Sequence, residues 1–163
     1  VELDGDFQFS ADESTKGYAV KLENIEFMSP KDYAARYGLE LSAFYSLDDT
    51  LPEFVADLTL NFRNTGNDEG YIQFVYYRIY SKKDLRSFYP LADVNALLHP
   101  EMSDKLGFKI YPGTESGPNH FCLISAVEAT GAVTGNSKNF PKYLQISMTP
   151  TRKVIEIPEL NIS

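Results

Sequence analysis

Two histidines, His99 and His120, one cysteine, Cys122, and 23 Asp and Glu residues are where this 163-residue chain would have to find acid–base, nucleophilic or metal chemistry. Hydrolysis of the serine or cysteine type needs a nucleophile, an imidazole within reach and an oxyanion site. No Gly-x-Ser-x-Gly elbow occurs. His120 follows the turn-rich Ser116-Gly117-Pro118-Asn119 and precedes apolar Phe121 to Ile124, so it reads as the first residue of a strand rather than a base. His99 stands before Pro100 and reads as a helix end. Cys122, between Phe121 and Leu123, reads as a small core residue. A single cysteine and two histidines without ligand spacing cannot complete a zinc set. An EF-hand begun at Asn64 would put Glu69 where glycine is required and Val75 where the bidentate Glu belongs, so Asn64 to Gly70 reads as a polar hairpin loop. Asp48-Asp49 reads as a solvated pair. With so many carboxylates some pair will lie close in any fold, so no glycosidase pair is marked out.

Gly131 to Asn136 lacks the Lys-Ser/Thr of a phosphate loop and opens no helix; the whole of Glu128 to Pro141 reads as a long polar loop, expected to be a mobile segment first and a binding loop second. The feature most suggestive of recognition is aromatic. There are 11 Tyr and 11 Phe but no Trp, and Tyr71, Phe74, Tyr76, Tyr77, Tyr80, Phe88 and Tyr89 crowd together with Arg78 and Arg86. Tyr76, Arg78 and Tyr80 share one strand parity and form the candidate binding face, competing with an ordinary packing role for the same rings. No cofactor is implied.

Strands must position that face. Phe54, Ala56, Leu58, Leu60 and Phe62 alternate with Asp57, Thr59, Asn61 and Arg63, a period of two that predicts one buried and one wetted face. Gly70 to Tyr80, apolar on both parities, is expected to return beside it as a central strand. Tyr18, Val20 and Leu22 alternate and then slip parity to Ile25 and Phe27, which predicts a bulge at Glu23-Asn24. Leu39 to Leu47 alternates again; Gly107 to Tyr111, His120 to Val127, Tyr143 to Met148 and Lys153 to Ile157 complete an all-β, sandwich-like set. Ser29-Pro30-Lys31-Asp32 with Gly38 predicts a two-turn helix over Pro30 to Tyr37. Asp93 to His99 predicts another short turn, with Leu97 and Leu98 packed onto the sheet edge. Both helices are expected to decorate crossovers, not to build a layer.

The hydrophobic fraction of 43% and charged fraction of 23% describe a folded protein of one domain spanning 1–163, with 1–16 an extended N-terminal segment. A net charge of −8 with scattered Lys and Arg argues against nucleic acid and anionic membrane partners. No apolar run approaches the roughly 18 residues of a bilayer span, and the start at Val1 without Met is expected to be either a processed mature end or a cut downstream of a signal.

Phe54 to Gly66, with Tyr18 to Phe27 before it and Ile110-Tyr111-Pro112-Gly113, His120 to Ile124, Leu144 to Met148 and Val154 to Ile157 after it, resembles the immunoglobulin-like domains of Gram-positive bacterial cell-surface lipoproteins. The resemblance covers Tyr18 to Pro158 and departs from the family at the Pro30 helix and at Asp93 to Leu106. It implies an immunoglobulin-like antiparallel β-sandwich and an extracellular or cell-surface location with an anchor cysteine upstream of Val1, and it carries over no catalytic residue. The expected function is a non-enzymatic binding module for an unidentified protein or small ligand. A carbohydrate-binding domain is the first alternative and a small hydrolase the second.

Overall fold

The computed structural model describes residues 8–9, 18–45, 51–52, 54–65, 72–73, 77–80, 87–100, 107–108, 111–125, 143–147 and 153–157. In chain order these give β1 (Gln8–Phe9), β2 (Tyr18–Met28), α1 (Pro30–Tyr37), a 3-10 turn (Leu41–Phe44), β3 (Val55–Asn64), β4 (Ile72–Gln73), β5 (Arg78–Tyr80), β6 (Ser87–Pro90), α2 (Ala92–Leu98), β7 (Gly107–Phe108), β8 (Glu115–Ser125), β9 (Tyr143–Ser147) and β10 (Lys153–Glu156). Asp48-Asp49, Tyr71, Phe74, Tyr76 and Glu128 to Pro141 lie outside the described residues.

Eight of these strands form one antiparallel sheet in the order β1-β2-β3-β8-β6-β5-β9-β10, while β4 and β7 pair separately. The sheet does not lie flat. β2 and β6 are three strands apart in that order, about 14 Å if the sheet were flat, yet the Phe27 and Phe88 ring centroids are 5.3 Å apart. Phe62 on β3 likewise meets Tyr77, just before β5, at 6.4 Å. The strands curl into a half-barrel around an apolar interior built from Val20, Leu22, Leu58, Phe62, Phe121 and Leu144 among others. Each such side chain contributes roughly 1.5–3 kcal/mol by leaving water. The expectation of an all-β, broadly sandwich-like body holds in this coarser form.

The parity slip in β2 is a bulge: its register against β3 shifts between Leu22 and Asn24. The extra residue lets Val20, Leu22 and Ile25 all reach the interior. α1 starts and stops where its caps predict. The Asp32 N–H donates to Ser29 Oγ at 3.1 Å, Pro30 occupies the first turn, and Gly38 leaves the helix at φ 65, where a side chain would be strained.

Several expectations need correction. The described part of the Leu39 to Leu47 stretch, which ends at Tyr45, is not a strand, because Leu41–Phe44 winds into a 3-10 turn that buries Phe44 edge-on against Tyr33 and leaves Tyr45 exposed, the reverse of the alternating parity. The described strands of the Gly70 to Tyr80 stretch, Ile72–Gln73 and Arg78–Tyr80, do not return beside β3. The two 11-residue strands β2 and β8 match β3 in length and occupy both its edges, so β4 goes to the small sheet and β5 lies between β6 and β9. β8 begins at Glu115, not His120: Gly117, at φ 74, and Pro118 are accommodated in the strand where the register shifts opposite Asn61 to Arg63.

The helices are more than decoration. α1, the 3-10 turn and α2 pack on the outer face of β3 and β8, where Tyr33, Ala34, Phe44 and Val94 join Val55, Cys122 and Ile124 in a second apolar cluster. On α2 the buried residues are Val94 and Asn95, and Leu98 is partly buried, but Leu97 is 59% exposed. The helix turns Leu97 outward because Val94 and Asn95 take the inward arc.

Candidate functional site

On β3 the apolar parity serves the interior, and the polar parity, Asp57, Thr59 and Asn61, lies on the outer face. These three are nevertheless buried. The expected wetted face is therefore wrong for this stretch: the capped two-turn helix α1, which follows β2, lies over Asp57, and Asn61 Nδ2 donates to Glu23 Oε1 at 3.3 Å. Arg36 and Tyr37, at the end of α1, close over Asp57.

Asp57 is the hub. Its side chain is 4% exposed. The Tyr37 hydroxyl donates to Asp57 Oδ2 at 2.6 Å, and Arg36 Nη1 donates to the same oxygen at 3.0 Å and to Glu26 Oε2 at 2.6 Å. Glu26 is the cross-strand neighbour of Asp57, so without Arg36 two carboxylates would face each other, a destabilising pair. The bond to Arg36 holds the Glu26 carboxyl below its ordinary value, and the bond to Glu26 raises the Arg36 guanidinium.

The second oxygen, Asp57 Oδ1, is buried and makes no hydrogen bond. His120 Nδ1 lies 3.5 Å from it. His120 is the cross-strand neighbour of Thr59, whose hydroxyl lies 3.2 Å from the same ring nitrogen. The imidazole leans on the Tyr37 ring at 5.5 Å and keeps 48% of its side-chain surface in water.

Cys122 lies opposite Asp57 across the strand pair. Burial, with Asp57 nearby, pushes its thiol well above the ordinary value, so the group stays protonated and unreactive at neutral pH. Burial likewise raises the Tyr33 hydroxyl, with Cys122 and Asp57 adding to it, and raises Tyr37 together with its bond to Asp57. His99 stacks on Phe121 at 4.7 Å, and its Nε2–H donates to the His120 carbonyl at 2.5 Å. Among the described residues no group of three or more His, Cys, Asp or Glu is placed to hold a metal ion. No helix of the described residues is long and apolar enough to cross a membrane.

These pieces form a polar, helix-capped patch on the outer face of the large sheet. One family model, described as a domain of unknown function (DUF5028), matches residues 1–153. The chain belongs to DUF5028. No curated protein and no solved structure matches this DUF5028 chain.

Of Tyr76, Arg78 and Tyr80, the binding face read from the sequence of this DUF5028 domain, two residues fall on a described strand. Tyr76 lies outside the described residues. Arg78 and Tyr80 fall on β5, paired with Gln145 and Tyr143 of β9. Arg78 is half-buried, donates from Nη1 to the Tyr77 carbonyl at 2.7 Å, and is lowered by burial, with Tyr89 alongside. Tyr89 on β6 keeps 38% of its surface exposed. The residue that sequence reasoning missed in DUF5028 is Asp57. Its signal was a lone carboxylate in the middle of the most apolar strand, with an Arg-Tyr pair closing the nearest helix.

Proposed function

We propose that this DUF5028 domain is a non-enzymatic extracytoplasmic binding module of immunoglobulin-like sandwich type, belonging to a lipid-anchored or secreted bacterial surface protein. What carries the reading is how its reactive side chains are employed. The Cys122 thiol is sealed in the core, His99 is bonded to backbone, and one oxygen of Asp57 serves Tyr37 and Arg36 as an anchor. Among the described residues, exposed aromatic surface is offered to partners by Tyr45, Tyr89 and Tyr111, the last of them 70% exposed.

Carbohydrate binding is the second reading, favoured by the exposed Tyr89 ring beside the Arg78 guanidinium. Two assays on the purified domain separate the possibilities: a glycan array, and a turnover screen with chromogenic ester, peptide and glycoside substrates. A contact module gives no turnover in the screen. Array signals lost in Tyr89→Ala and Arg78→Ala select the carbohydrate reading. Turnover that disappears in His120→Ala contradicts the non-enzymatic one.

A further inference from the structure

We propose that Asp57 and His120 form a proton-operated latch that tightens the hold of β8 on the anchor of α1 when the surroundings turn acid. The geometry leaves one buried carboxylate oxygen, Asp57 Oδ1, without a hydrogen bond. A buried unsatisfied charged oxygen is costly, and the structure places a donor able to carry a positive charge, His120 Nδ1, 3.5 Å away. In a neutral ring Nδ1 is fully employed by Thr59, whose hydroxyl can donate to it or accept from it at 3.2 Å. In a protonated ring Nδ1 must donate, and a small rotation brings its N–H onto Oδ1 as a charge-assisted bond. The other oxygen is already taken by Tyr37 and Arg36, so the new bond adds to the anchor without competing for it.

The groups around the imidazole leave room for that charge. From α1 come Arg36, Tyr37 and Tyr33; from β2, Glu26; from β8, Cys122; and from α2, His99, bonded to the His120 carbonyl. Glu26 and Asp57 outnumber Arg36 by one negative charge. The two tyrosines and Cys122 are all pushed above their ordinary values, so they stay neutral through the range in which histidine side chains change charge. His99 is the other imidazole here and serves as the control.

The test is a double-mutant cycle of His120→Gln and Asp57→Asn on the full chain, read by urea unfolding at pH 5 and pH 8. The expected coupling at pH 5 is about tenfold or more in the folding equilibrium constant, as for hydrogen bonds to charged groups, falling towards none at pH 8. Additivity at both values overturns the latch. Should Asp57→Asn fail to fold, single variants decide. The stability advantage of wild type over His120→Gln must grow from pH 8 to pH 5 and persist in a His99→Gln background. An advantage that does not grow, or that disappears with His99, overturns it equally.

Discussion

The side-chain amide of Asn95 grips the backbone of Cys122 from both ends: Nδ2 donates to the Cys122 carbonyl and Oδ1 accepts the Cys122 N–H, each at 2.8 Å. β6 pairs with β8 only as far as Pro90 opposite Leu123. One residue further along β8, the Asn95 amide takes the place of a neighbouring strand, and α2 is stapled to the sheet by it. Replacing Asn95 with Leu preserves volume but orphans a buried N–H, while the Cys122 carbonyl keeps the Leu91 N–H. The expected loss is roughly 1–3 kcal/mol in urea unfolding. Asn95→Asp, which keeps the acceptor for that N–H but adds a buried charge, should be no better tolerated.

The 3-10 turn makes opposite predictions for adjacent residues. Phe44 is fully buried against Tyr33, and Phe44→Ala should cost about 3–5 kcal/mol. Tyr45 is exposed, and Tyr45→Ala should stay within about 0.5 kcal/mol of wild type. Thermal or urea melts of the two variants check the pair; a strand with the alternating parity would reverse the order.

Cys122 should resist thiol reagents in the folded protein at pH 8 and react promptly in denaturant, because it is fully buried and its thiol is raised by burial. Labelling with a chromogenic disulfide measures both rates. Fast native labelling would mean that the helical cover over β8 opens freely.

The Glu26 and Arg36 pair sets a small acid dependence. The folded-state carboxyl of Glu26 lies below its ordinary value through the bond to Arg36, so its contribution is complete above that ordinary value and is lost as pH falls through the lowered one. Both side chains are more than a third exposed, which limits the effect to about 1 kcal/mol or less. Glu26→Gln should therefore be slightly less stable than wild type at pH 7, with the difference shrinking as pH falls below the usual carboxylate range and gone below the lowered folded value.

Local signals carried much of the fold. The helix over Pro30–Tyr37 was legible because Ser29, Pro30 and Gly38 each act within one turn, and the bulge near Glu23-Asn24 because a parity slip has one simple cause. Leu41–Phe44 misled because four residues of a tight turn can mimic two periods of a strand. Sequential proximity misled at β5, since strand neighbours are chosen by length and packing across the whole sheet. The site was harder still. Alternation tells which face of β3 Asp57 occupies, but what covers that face is decided by where α1 lands, and that depends on tertiary packing. The pairing of Asp57 with His120 depends in turn on β8 becoming the neighbour of β3.

Asp57 is the buried anchor that fastens α1 to the outer face of the sheet. A double-mutant cycle of Tyr37→Phe and Asp57→Asn at pH 7, read by urea unfolding, tests this most directly. The anchor predicts a coupling of at least about 1 kcal/mol between the two positions. Additive losses, agreeing within about 0.3 kcal/mol, would show that Tyr37 and Asp57 do not hold each other and would contradict the arrangement described here.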